Sequence, residues 1–165
     1  MATLIGVVSD THVPYKAKAL PPALLSGLEG VNLILHAGDI CSKEALRELG
    51  RIAPVEAVAG NMDPPDLAAR LERKRLLKVE GRLIGLVHGD GPGGDPALRA
   101  AAAFSGEPRP ACIVFGHSHT PHLEMSGGVL LFNPGSPTDR RRSPQYSYGL
   151  LVVEDDGIFA RTVYF

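Results

Sequence analysis

The chain has 165 residues, 44% of them hydrophobic, with 17 basic against 18 acidic side chains and a formal net charge of −1. A chain of this length can bury enough surface to fold without covalent staples, so residues 1–165 are expected to form a single domain. The near-neutral charge excludes the basic excess of a dedicated nucleic-acid binder, and no apolar run approaches the ~20 residues that cross a bilayer. The two cysteines, Cys41 and Cys112, are too few for a disulfide framework and lack Cys-x-x-Cys spacing. With no charged, apolar leader at the start, a reducing cytoplasmic location is expected.

In chain order, residues 4–8 read as a buried strand, residues 22–28 as a helix and residues 31–35 as a second strand. Residues 42–49 form a helix capped by Ser42, and residues 55–59 a third strand. Residues 76–79 and 83–87 suggest a hairpin turning at Glu80-Gly81-Arg82. Gly91-Pro92-Gly93-Gly94 is a loop, residues 95–104 are a helix with Pro96 at its first position, and residues 111–115 are a strand. Beyond residue 120 the texture changes. Strand-like runs at 123–125, 129–132, 146–154 and 159–164 are separated by Gly127-Gly128, Asn133-Pro134-Gly135 and Asp155-Asp156-Gly157, which predicts antiparallel pairing at the end of the chain. An α/β domain of two sheets accounts for this order better than one doubly wound sheet.

Each of five apolar runs ends in polar residues of metal-binding type. They are Ser9-Asp10-Thr11-His12, His36-Ala37-Gly38-Asp39, Gly60-Asn61-Met62-Asp63, His88-Gly89-Asp90 and Gly116-His117-Ser118-His119. In an α/β sheet the carboxyl ends of the strands form the binding crevice, so these distant residues are expected to converge. The adjacent glycines let the backbone turn and come close to a ligand. Five of the six histidines, all but His122, lie in these groups. Imidazole mixed with carboxylate and amide oxygen suits borderline divalent ions, and seven candidate ligands exceed the three or four that a single zinc needs. Two ions sharing a carboxylate fit that number.

The ordered set Asp10-x-His12, Gly38-Asp39, Gly60-Asn61, His88-Gly and Gly116-His117-x-His119 resembles the calcineurin-like metallophosphoesterases. With the closing Asn133-Pro134-Gly135-Ser136, it looks most like their small YfcE-type phosphodiesterases. The resemblance implies a four-layer α/β/β/α sandwich of two mixed sheets. It also implies a two-metal centre, with Asp10, His12 and His119 on the first ion, Asn61, His88 and His117 on the second, and Asp39 bridging. Manganese is the first expectation for the metals, with nickel, iron, cobalt or zinc as alternatives. Two such ions generate hydroxide at neutral pH and neutralise phosphoryl charge, while the Asn61 amide can donate to a phosphoryl oxygen. Asp39 and Asn61 are thus the catalytic candidates. The expected substrate is a small or exposed phosphodiester, with phosphomonoesterase activity or a non-catalytic scaffold like the retromer subunit of this fold as the competing readings. No stable nucleic-acid or membrane partner is expected, and a homodimer could cover an open sheet edge.

His36 and Asp63 are read as residues that orient the ligands by hydrogen bonds, or as polar groups satisfied beside a turn. Cys41 is read as packing at a helix start, and Arg140, Arg141 and Arg142 as a solvated loop. Two positions depart from the family pattern. Met62 stands where relatives carry His or Cys, and a thioether cannot protonate a leaving group, so acidic leaving groups are favoured. Asp90 replaces the second His of the family's His-Gly-His, and binding, hydrogen-bonding and turn-capping roles stay open for it.

Overall fold

The first strand sets the layering. In β1 (Thr3–Val8) the side chains alternate, so Ile5 and Val7 enter one apolar cluster while Leu4 and Val8 enter another on the opposite face. The structure is a computed structural model describing residues 1–106 and 108–165. The elements that follow are α1 (Pro22–Gly27), β2 (Leu33–His36), α2 (Lys43–Gly50), β3 (Val55–Ala57), α3 (Pro65–Ala68), β4 (Lys74–Val79) and β5 (Arg82–Val87). The second half adds α4 (Pro96–Ala103), β6 (Cys112–Val114), β7 (His122–Ser126), β8 (Val129–Asn133), β9 (Ser147–Glu154) and β10 (Gly157–Tyr164).

Two five-stranded mixed sheets result, ordered β10-β9-β1-β2-β3 and β4-β5-β6-β8-β7. Ile5, Val7, Leu35, Ile84, Leu86, Val114, Phe132 and Leu151 fill the space between them. Leu24, Ala45, Leu49 and Leu67, from the first three helices, and Leu28 just after the first cover the outer face of the first sheet. Ala97, Ala100 and Phe104 cover the second sheet over Ile113, Phe115 and Leu131. The architecture is therefore the expected α/β/β/α sandwich. Ser42 caps α2 by accepting from Ala45 N–H at 3.2 Å, and Asp95 caps α4 by accepting from Ala97 N–H at 2.9 Å.

The antiparallel pairing expected at the end of the chain is present in β7–β8 and β9–β10, and two features add to the sequence expectation. β8 also pairs parallel with β6, while β9 returns to the first sheet and pairs antiparallel with β1. The four-residue α3 follows Pro64-Pro65 and is too short to show a helical period. What matters for the site is polarity. Strands β1, β2 and β3 run parallel in one sheet, and β5, β6 and β8 run parallel in the other. The loops that follow β1, β2, β3, β5 and β6 gather at one end of the sandwich. Among the described residues no helix is long and apolar enough to cross a membrane.

The inter-sheet packing is tight at Phe132, which is fully buried and whose ring occupies the space a Cβ on Gly149 would need. Phe132→Ala is expected to lower the unfolding free energy by about 3–5 kcal/mol, read from the urea midpoint at unchanged m-value. A loss below about 1 kcal/mol would show that the sheets can collapse onto the gap.

Candidate metal centre

The loops that carry the candidate ligands have an unusual backbone. Asp10 (φ 57°), His12 (44°), Asp39 (58°), His117 (75°) and His119 (62°) all occupy the left-handed region. Non-glycine residues rarely do so, and each such residue costs roughly 1–3 kcal/mol unless its surroundings impose the conformation. The adjacent glycines supply room as well as turning. A Cβ on Gly60 would overlap the Asp39 carboxylate, one on Gly116 would overlap Ser9 Oγ, and one on Gly38 would lie 2.8 Å from His88 Nδ1.

All seven predicted ligands come together. Asp10 Oδ1 lies 3.4 Å from His119 Nε2 and 3.7 Å from both His12 Nε2 and His88 Nε2. Asp39 Oδ2 lies 3.5 Å from His12 Nε2 and 3.1 Å from His88 Nε2, which places this carboxylate between the two groups of histidines. On the far side, His117 Nδ1 is 3.3 Å from His88 Nε2 and 3.2 Å from Asn61 Oδ1. Two sets of donor atoms, Asp10-His12-His119 and Asp10-Asp39-His88, each fall within 4.8 Å of one another.

The rings are aimed by their other nitrogens. His88 Nδ1 donates to the Ala37 carbonyl at 2.7 Å and His119 Nδ1 to the Asp139 carbonyl at 2.6 Å, so both present Nε2 to the centre. His12 Nδ1 lies 3.7 Å from Cys41 Sγ. Among the described residues three buried polar atoms, Asp10 Oδ1, His12 Nε2 and His119 Nε2, have no hydrogen-bond partner. A buried polar atom left unpaired costs about 1–3 kcal/mol. An oxygen and two imidazole nitrogens facing one point are donors that fit a divalent cation.

Electrostatics follow from this crowding. Burial opposes charge on Asp10, yet His119 and His12 beside it and the His88 charge hold its carboxyl well below the usual range. Asp39 shows the same balance, lowered by the His88 contact and by the Met62 N–H that donates to Oδ1 at 2.8 Å. Burial works against charge on His88, but Asp39 and Asp10 raise its pKa to about 9. Burial pushes the Cys41 thiol up to about 12, keeping it protonated and unreactive.

His36 and Asp63 act on the backbone rather than on the ligand side chains. Asp63 accepts four amide N–H groups, from Asp39 (3.0 Å) and Gly60 (2.8 Å) on Oδ2 and from Ile40 and Cys41 (both 2.8 Å) on Oδ1. The His36 ring accepts from Gly38 N–H at 3.1 Å, and its Nε2 lies 3.0 Å from Thr11 Oγ1. A third anchor combines Ser136 of the closing motif, whose role the sequence did not show, with Thr138, which no motif marked. Ser136 Oγ donates to the Asp10 carbonyl at 2.8 Å and Thr138 Oγ1 to the Thr11 carbonyl at 2.6 Å, bolting the segment after β8 onto the first ligand loop. Asp90 pairs with Arg73 at 2.7 Å. Met62 is 59% exposed at the mouth. The basic cluster is not simply solvated, since Arg141 donates to the His117 carbonyl at 3.3 Å and Arg140 lies over the Tyr146 ring.

The sequence profile of the calcineurin-like phosphoesterase superfamily domain matches residues 3–156, and the chain belongs to that superfamily. Its particular relatives sharpen the picture. A probable metallophosphoesterase of Methanothermobacter thermautotrophicus is 42% identical over 156 residues, covering 93% of this chain and 87% of that one. The phosphodiesterase YfcE of Escherichia coli K12 is 33% identical over 81 residues, 49% of this chain and 36% of its own. Vps29 of Entamoeba histolytica, solved in complex with Zn²⁺, superposes with a TM-score of 0.75 at 26% identity, covering 98% of this chain and 99% of that one.

Two outcomes test the frame. Asp63→Asn turns one accepting oxygen into an amide that faces N–H donors. It is expected to lower the unfolding free energy by roughly 2–4 kcal/mol and to weaken metal binding about 10- to 100-fold, measured by urea unfolding and chelator competition. His36 is fully buried, and burial lowers its pKa from 6.5 to about 4. Its folded pKa lies below the unfolded one, so the unfolded chain takes up the proton first. The His36 contribution is therefore complete above pH 6.5 and is lost as the pH falls towards 4. Ring resonances assigned to His36 should stay those of a neutral imidazole down to pH 5, and a midpoint near 6.5 would contradict the buried network.

Proposed function

We propose that this protein is a phosphodiesterase that uses two divalent cations, manganese foremost, to hydrolyse a small or exposed phosphodiester. The observation that carries the reading is the convergence of Asp10 Oδ1, His12 Nε2 and His119 Nε2, buried and without partners, on one point. Asp10, His12 and His119 would hold one cation, Asn61, His88 and His117 the other, and Asp39 would reach both. Bound there, the cations supply an activated water at neutral pH and neutralise charge on the phosphoryl oxygens.

The protein's own groups do the rest. The carbonyls of Ala37 and Asp139 hold His88 and His119 in their productive tautomers, so neither ring has to reorient when a substrate arrives. Asn61 is exposed at the mouth, and with Oδ1 directed to His117 its amide hydrogens are free to donate to a phosphoryl oxygen as charge builds. Met62 beside it offers no proton, which favours esters whose leaving group departs as a stable anion. The likeness to the phosphodiesterase YfcE supports the diester reading, and the likeness to the zinc complex of Vps29 supports a metal at the site. The likeness to Vps29 also favours a second reading, a binding scaffold that uses the same fold.

Metal-stripped protein reconstituted with Mn²⁺ is expected to hydrolyse bis-p-nitrophenyl phosphate faster than p-nitrophenyl phosphate. Asp39→Asn should abolish turnover, and Asn61→Ala should lower kcat by about 10²- to 10³-fold. A preference for the monoester would make the protein a phosphomonoesterase. Bound metal without turnover of either ester would favour the scaffold.

A further inference from the structure

We propose that Arg141 forms a second anion subsite at the rim of the metal centre, selecting phosphodiesters whose non-transferred arm carries another anionic group such as a phosphate. This assignment rests on the phosphodiesterase reading above. The argument begins with where the loop is fixed. Ser136 and Thr138 donate to the carbonyls of Asp10 and Thr11, and the Asp139 carbonyl accepts a hydrogen bond from His119 Nδ1–H. Two residues further on, Arg141 Nη1 donates to the carbonyl of His117 at 3.3 Å. One short segment thus grips a candidate ligand of each cation, and the exposed guanidinium is tethered beside His117.

Its backbone supports the same conclusion. Arg141 has φ 48° at the first central position of a β-turn that Ser143 N–H closes by donating to the Arg140 carbonyl at 2.8 Å, so the turn fixes the backbone from which the guanidinium reaches His117. Arg99, by contrast, has its donors engaged by the carbonyls of Gly89, Gly93 and Gly94. Among the described residues Arg141 makes one hydrogen bond from its five N–H donors, so its fork remains available to a phosphate or carboxylate. Its neighbour Arg142 is exposed and carries the same charge without the anchor, which makes it the natural control.

The test compares two chromogenic diesters, the p-nitrophenyl ester of thymidine 5′-phosphate and the same ester bearing a 3′-phosphate. For the Mn²⁺-loaded wild-type chain, kcat/KM is expected to favour the 3′-phosphorylated ester by about tenfold, the discrimination of one charge-assisted hydrogen bond at an exposed rim. Arg141→Gln should bring the ratio close to one, and Arg142→Gln should keep it. Calorimetry with the products provides a readout independent of turnover: thymidine 3′,5′-bisphosphate should bind about tenfold tighter than thymidine 5′-phosphate to wild type and equally to Arg141→Gln. Equal handling of both esters by wild type would overturn the Arg141 assignment alone. Equal loss of discrimination in the two variants would also overturn it, since the effect would then be diffuse charge. No turnover of either ester would overturn the phosphodiesterase reading and the assignment with it.

Discussion

A fully buried carboxylate lies at the base of the site, and much of the local structure answers to it. Asp10 has no solvent access, yet its carboxyl is held in the charged form. Moving an uncompensated charge out of water is among the most costly events in folding. One oxygen of Asp10 is satisfied by Ser9 Oγ at 2.6 Å and His117 N–H at 3.0 Å, while the other faces three imidazole nitrogens and has no hydrogen-bond partner. Gly116 is required because any side chain there would displace Ser9 and the carboxylate. The chain's choices at residues 9, 10, 116 and 117 are therefore one solution to a single electrostatic problem.

The same problem explains why strained backbone is concentrated here. Five candidate ligands in the left-handed region form an arrangement the loops would not adopt alone. The restraints come from both sheets. Asp63, after β3, gathers four amides of the Asp39 and Gly60 turns, and Ser136 and Thr138, after β8, clamp the loop that leaves β1. His36 completes the frame as a neutral ring, because a charged one in that position would face burial on every side. Strain at the ligands is thus offset by hydrogen bonds at residues that never face the centre.

The fold and the convergence of the candidate ligands were legible in the sequence for a shared reason. Parallel strands buried on both faces are continuous apolar runs, and each run stops where the chain must meet solvent and chemistry, so Asp10, Asp39, Asn61, His88 and His117 mark the strand ends by contrast. What was not legible depends on distance in space. The four amides bound by Asp63 belong to residues 22 to 24 positions upstream or three positions away, and no local pattern marks them. The return of β9 to pair with β1 joins segments from opposite ends of the chain, a pairing that periodicity does not encode. Arg140 to Arg142 look like a solvated run because charge alone does not show which guanidinium is fastened to a backbone carbonyl.

Burial changes across the site, and this divides the work between its two sides. Asp10, His12 and His119 are 0%, 5% and 1% exposed, so their positions are set by packing before any ligand arrives. Asn61, Met62 and Arg141 are exposed on the other side, where substitutions need not disturb the core. A group such as Met62 can therefore replace a proton donor without loss of the frame, since its structural contribution is the N–H bonded to Asp39, which any non-proline residue supplies. On the proposed phosphodiesterase reading, the inner half would fix which ions the site admits. The outer half, built from side chains that solvent already reaches, is where this fold can change its substrate without refolding.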